Sequence, residues 1–492
     1  MSKNHSGPVL VIGATGYVGA RLIPRLLSAG YPVRAVSRSL DRLKRRPWAE
    51  HPRVDLVVAN VLEPDALAGA VKDCRTAYFL LPALGPGGNG PSAQGQRAAR
   101  ALIEAAEAAG LERIIALSGL DDYPRSPAVV LRGGRAAVTV LRTAMILGSG
   151  SSAFEILRYL VDRLPLMLAP SWVETPAQPI AIGNLLHYLA GCLEAPETAG
   201  QTFEVGGPEV VSCRQLMEVY RQEARLARRH ILTVPLCAPA LSSHWISLTT
   251  PVPRHLARSL TAALSRPLVA ADARIREIIR QDLLDCRQAI RLALAGACQE
   301  RLQGPGGGGP MPPPEWSLPG DAPWSGGTMY EDRRRLVLRA TAEEIWQSLI
   351  GVAWRNRWGL RDWLGRSAAA PGGRGCGALA GDEPGAGHDG RCWRAASVEP
   401  PERLVLVSQM RLPGQMILEF RLRGLADHLT EIEQKSLFAP AGLPGILYWS
   451  SLGPVRALMF NSMLVGMARA AGKQIELGPQ AVHAPSGSAL LS

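Results

Sequence analysis

The chain has 492 residues, 47% of them hydrophobic and 20% charged, with 54 basic against 42 acidic residues for a formal net charge of +12. That length exceeds what one core supports, so two or more folding units are expected, and the supply of apolar side chains excludes a disordered chain. Arginine carries nearly all the positive charge, since the lysines are only Lys3, Lys44, Lys72, Lys435 and Lys473. Its clusters at 42–46, 221–229 and 333–335 have no interleaved aromatics, which argues against a base-stacking nucleic-acid surface.

From residue 8 to about 150, short apolar runs alternate with helical patterns, the mark of βαβ units around a parallel sheet. Strands are expected at 9–12, 32–36, 54–58, 77–81, 113–117 and 138–142, with an alanine-rich amphipathic helix at 93–109. Residues 1–150 therefore read as a doubly wound α/β core. Residues 151–303 read as a substrate-covering lobe with helices at 153–164, 182–193, 213–227, 253–264 and 271–297 and a strand at 202–205. Residues 304–328, rich in Gly and Pro, cannot form a regular element and read as a linker. Residues 329–475, with a strand at 335–339, a helix at 342–349, strands at 403–410, 416–423 and 429–435 and an amphipathic helix at 454–471, suggest a smaller α+β domain; 368–390 is loop-like and 476–492 reads as a disordered tail.

The eight cysteines are scattered and form no CxxC pair, so no metal site and a reduced, cytoplasmic setting are expected. The first residues run directly into a strand without the apolar core of a signal peptide. No run is apolar enough to span a bilayer; 231–252 is free of formal charge but interrupted by prolines and hydroxyl residues, and reads as a buried or substrate-covering segment that leaves peripheral membrane contact open. The oligomeric state is not legible.

The sharpest chemical signal is VLVIGATGYVGARL, in which a buried strand meets Gly13, Gly16 and Gly19 and then a helix. Gly13 permits the tight turn, Gly16 lets the backbone approach a pyrophosphate, and Gly19 lets helix and strand pack closely. The free N–H groups at the helix start, around Tyr17 and Val18, face the phosphates, and Thr15 adds a hydroxyl. The second strand ends Val36-Ser37-Arg38 rather than in an acid; Ser37 and Arg38 suit a 2′-phosphate, favouring NADP(H) over NAD. Arg42 and Arg45 add to the local positive field.

GATGYVG, the strand-end Arg38, Ala59-Asn60-Val61, the LLPAL that begins at Leu80-Leu81 and IIALSGL at 114–120 together resemble the atypical short-chain dehydrogenase/reductases of the NmrA-like or complex I subunit-like subgroup, over residues 8–300. The resemblance implies a Rossmann domain and adds Asn60, Val61, Leu80 and Leu81 to the cofactor contacts. Residues 329–472 resemble the domain of unknown function that follows in this subgroup, which looks like a helix-grip fold around an apolar pocket; Trp346, Trp354, Trp358, Trp363, Trp393 and Trp449 would then border that cavity. The family's dehydrogenases use a Tyr with a Lys four residues on, but this chain has no lysine between Lys72 and Lys435, and Tyr123 is followed four positions on by Pro127. Ser118 and Tyr123 remain as candidates near the nicotinamide end, with Arg132 or Arg135 beside them. Asn60 and Asn184 stand where the family often has Asp. The expected function is an NADP(H)-binding oxidoreductase acting on a small apolar carbonyl or alkene. The rivals are a non-catalytic NADPH sensor and a lipid or isoprenoid carrier working through the C-terminal domain.

Overall fold

A computed structural model describes residues 7–81, 91–120, 126–234, 249–302, 312–354, 393–425 and 428–482. The chain divides into two units, Met1–Glu300 with Gly308–Gly327, and Arg301–Gly307 with Thr328–Ser492.

The first unit is built on a seven-stranded sheet. Its strands are β1 (Val9–Ile12), β2 (Val33–Ser37), β3 (Val54–Val58), β4 (Thr76–Phe79), β5 (Arg113–Gly119), β6 (Ala137–Thr143) and the strand Thr202–Val205. They lie in the order Thr202–Val205, β6, β5, β4, β1, β2, β3, all parallel. A parallel strand covered by helices on both faces must be apolar throughout, and every residue of β1 is buried. On one face the helix α1 (Tyr17–Ser28) packs through Val18, Leu22 and Leu26 with Leu185 and Leu189 of the helix Ile182–Glu194. On the other, Ala98, Leu102 and Ala105 of Pro91–Ala109 cover Leu10, Ile12 and Ile114. The strand order reverses between β1 and β4, and at such a switch point the carboxyl ends of the strands open a crevice.

The lobe beyond β6 has its own apolar cluster, formed by Ser152–Arg163, Cys213–Glu223, Arg254–Ala263 and Cys286–Leu302. The helix expected over 271–297 is two, Arg274–Ile278 and Cys286–Leu302. The break is made by a capping exchange: Gln288 N–H donates to the Asp285 carboxylate at 2.6 Å and Asp285 N–H to the Gln288 amide oxygen at 3.1 Å.

The 304–328 stretch, expected as a bare linker, differs most from expectation. Its described residues 312–327 lie on the first unit, with Glu315, Trp316 and Leu318 buried. Gly and Pro do prevent a helix or strand here, but irregular backbone can dock when other groups satisfy it. Arg21 does so, donating to the carbonyls of Pro314 at 2.8 Å and Trp316 at 2.6 Å.

The second unit is a six-stranded antiparallel sheet in the order Trp393–Glu399, Arg403–Ser408, Gly414–Gly424, Leu429–Pro440, Tyr330–Arg339, Ile475–Ala481. The helix Gly453–Ala471 packs Phe460, Met463, Leu464 and Met467 into the same cluster as Leu336, Leu418 and Phe420. Trp346 and Trp449 are buried in this cluster, Trp449 stacked on Phe438 at 5.2 Å, while Trp358 and Trp363 lie outside the described residues. Where the tail was expected to start, Ile475–Ala481 forms an edge strand. It carries no apolar signal, since Ile475 and Leu477 stay exposed; backbone pairing and an ion pair from Arg339 to Glu476 at 2.8 Å hold it.

Candidate functional site

At the end of β1 the chain turns at Gly13, whose φ of +92° is left-handed, and Gly16 N–H donates back to Gly13 O at 2.9 Å. A Cβ on Gly13 would stand 2.8 Å from Leu80 O, just past the end of β4, and one on Gly19 only 2.2 Å from Gly13 O, so glycine is required at the first by the neighbouring strand's end and at the second by the packing of the helix on the turn. Gly16 is different. It is exposed, and its Cβ would meet only Gly13 O at 3.1 Å, so the space it keeps open faces outward. It is also the N-cap of α1, with no side-chain cap and no acid in the first turn, which leaves the N–H groups and positive end of the helix for an anion. This cradle fits a dinucleotide pyrophosphate.

At the neighbouring end of β2, Ser37 and Thr15 hydroxyls lie 3.4 Å apart, joining the turn to the strand end. Arg38 is exposed and makes no ion pair among the described residues, as do its neighbours Arg42 and Arg45. Arg46, by contrast, is buried and committed to Asp321 at 2.7 Å and to Thr15 O. Asn60 closes its own turn, donating to Glu63 at 2.6 Å and accepting from Leu62 N–H, with Val61 packed beside it against the core. Asn184 is structural: buried, it bonds Gln281, Asp282 and Leu284 and ties its helix to the 281–284 segment.

A cavity of about 390 Å³ runs from Gly16, Tyr17 and Val18 past Leu80 and Leu81 to the ends of β5 and β6. There Leu117–Gly119 and Thr143–Ile146 form one part of its wall, and Leu256, Ser259, Leu260 and Ala263 another. No described residue lining it is charged. Ser118 is placed inside, its hydroxyl 2.6 Å from that of Ser126, which also caps the helix Pro127–Leu131. Tyr123 lies outside the described residues. Arg132 is exposed and donates to Gly200 O at 3.2 Å, and neither it nor Arg135 is in the wall.

Two hydroxyls of residues in the wall, Tyr17 Oη and Thr143 Oγ1, are buried without a hydrogen-bond partner among the described residues. Burial, reinforced by the carboxylates of Asp321, Glu315 and Glu155 and opposed by Arg21, raises the Tyr17 pKa, so the phenol stays a neutral donor. Its ring carries Arg21 at 4.2 Å from the centroid.

Sequence reasoning missed Ser126, Thr143 and Trp324. The last comes from the 312–327 segment and lines the cavity, where its carbonyl accepts from Tyr159 at 3.0 Å. Ser126 and Trp324 lie in no motif.

The parallel sheet, the glycine turn at its switch point and the open helix N-terminus define a Rossmann-type NAD(P)H-binding domain. Residues 13–140 match the NAD(P)H-binding family, and residues 324–463 match the family described as protein of unknown function DUF2867. Among curated relatives, the chloroplastic divinyl chlorophyllide a 8-vinyl-reductase of Oryza sativa subsp. indica is 25% identical over 222 residues, 41% of this chain and 54% of that protein. The 3-beta-hydroxysteroid dehydrogenase of Mycolicibacterium neoaurum is 29% identical over 136 residues, 26% of this chain and 34% of that protein. The chain thus spans about half of these relatives' lengths or less. The structure of Citrobacter sp. triphenylmethane reductase complexed with NADP(H) aligns over 58% of this chain and 99% of its own, with a TM-score of 0.48 and 15% identity. No helix among the described residues is long and apolar enough to cross a membrane.

Proposed function

We propose that the first unit binds NADP(H) and reduces an uncharged carbonyl compound or activated alkene in the cavity. The observation that carries this reading is the cavity itself, which is continuous with the phosphate cradle and lined by no charged side chain among the described residues. Among the described residues no side chain of the wall would pair the charge of a phosphorylated or sugar-nucleotide substrate, and a charge left unpaired there costs several kcal/mol. Arg38 and Ser37 bind the 2′-phosphate, Leu80 and Leu81 border the dinucleotide, and Ser118 hydrogen-bonds the substrate oxygen. When bound, the reduced nicotinamide supplies a hydride to the electrophilic carbon. The oxygen or the adjacent carbon gains its proton from water through the Ser118–Ser126 hydroxyl pair, so that one hydride and one proton complete the reduction. The reading is of a cytoplasmic enzyme, with the second unit as a helix-grip ligand domain. The six-stranded sheet and the helix Gly453–Ala471 support the latter.

The absence of lysine between Lys72 and Lys435 removes the usual Tyr–Lys pair and favours a second reading, a sensor that binds NADPH without turning it over. The decay of reduced-nicotinamide absorbance with a panel of uncharged aldehydes, ketones and enones separates the two. Turnover that falls by about tenfold in Ser118→Ala, the loss of one hydrogen bond to the substrate, is the enzyme. Saturable binding with no turnover across the panel is the sensor.

A further inference from the structure

The segment beyond the Rossmann core does more than connect. Residues 312–327 cross the first unit as a strap that is fixed on both sides of Trp324. Before it, Asp321 sits between Arg21 and Arg46, each at 2.7 Å, and Arg21 also binds the carbonyls of Pro314, Trp316 and Ser149. After it, the N–H groups of Gly326 and Gly327 donate to the buried Glu155 carboxylate at 3.0 and 3.2 Å. The main-chain carbonyl of Trp324 accepts from the Tyr159 hydroxyl at 3.0 Å. Both glycines have positive φ, +86° and +81°, and a Cβ on Gly327 would stand 3.0 Å from Arg158, so the turn is shaped for this docking. A residue whose backbone is pinned on either side along the chain belongs to a preformed wall rather than a loose flap.

Deepening the cofactor reading above, on which it rests, we infer that Trp324 is a specificity-determining wall of the substrate site and that the site takes an uncharged, ring-bearing carbonyl compound. Trp324 brings an indole, a flat apolar surface for a ring, to the lining, Leu256, Leu260 and Ala263 extend it, and Ser118 offers polar contact to a single oxygen. Nothing in the described wall compensates a carboxylate or phosphate.

The test is calorimetric titration of the whole protein, saturated with NADP⁺ so that no reduction occurs, with acetylnaphthalene and with naphthoate as its charged analogue. Acetylnaphthalene is expected to bind at least about tenfold more tightly than naphthoate. Trp324→Ala should weaken it by about tenfold, with NADP⁺ affinity changed less than about twofold, and Trp324→Phe should restore most of the loss. Melting curves check that each variant is folded, and Trp324→Leu replaces Trp324→Ala if the latter is not. Unchanged acetylnaphthalene affinity in the folded Trp324 variants, or equal binding of naphthoate, overturns the inference. Failure of the wild-type protein to bind NADP⁺ contradicts the cofactor reading instead, and the same wild-type and variant comparison on cofactor-free protein then still decides the wall.

Discussion

The phosphate end and the substrate end of the cavity are built by opposite means. The phosphate end is backbone: Gly13, Gly16 and Gly19 within one turn, each glycine demanded by a contact or by the ligand's approach, and helix N–H groups next to them. The substrate end is side chain, assembled from Ser118, Thr143, Leu260 and Trp324, which come together from more than 200 residues of chain. A ligand common to many proteins is held by geometry that local sequence can encode, whereas a particular substrate is held by surfaces that only the whole fold brings together.

The largest expected effect falls on the strap that completes the substrate end. Asp321→Ala leaves the buried Arg21 and Arg46 guanidiniums without their carboxylate and should destabilise the first unit by about 3–5 kcal/mol, read by thermal or denaturant unfolding. A loss below about 1 kcal/mol would mean that the strap is not anchored through this group. Burial opposes the Asp321 charge, but Arg21 and Arg46 more than offset it, so its pKa lies below the ordinary 3.8. Because the folded pKa is the lower one, the stabilisation is complete above the unfolded value near 4. It is lost as pH falls through the folded value. The penalty of Asp321→Ala should therefore be constant at neutral pH and shrink only below about pH 4.

Next comes the phosphate end. Gly16→Val should weaken NADPH by about a hundredfold or more, because the new side chain occupies the outward space while meeting only Gly13 O in the protein. Fluorescence titration measures it, and a melting temperature close to wild type separates it from the Gly19 position, where a Cβ cannot be housed at all. Unchanged NADPH affinity would remove the turn from the site. A smaller effect belongs to Arg38→Ala, which should cost NADPH about tenfold and NADH little, since only the former carries the phosphate that a charge-assisted pair would bind. Equal losses for both would assign Arg38 to general electrostatics.

What was legible in the sequence follows the same division. The six core strands appear within two residues of their expected places because each is an apolar run closed by Gly, Pro or a helix pattern, and the glycine turn is where its spacing put it. The Asp285–Gln288 capping pair was present in the sequence but hidden inside a continuous helical periodicity. The strap was illegible for a deeper reason. Gly and Pro report what the backbone will not form, and they say nothing of where Glu155, Arg21 and Arg46, 150 to 300 residues earlier, will offer partners. Ser126 was invisible because a lone serine before a proline reads as a cap, which it also is.

Titration of the whole protein with NADPH and with NADH bears most directly on the central claim. Saturable binding of one NADPH per chain, at least about tenfold tighter than NADH, is the predicted result. No NADPH binding, or equal affinity for the two, would contradict it.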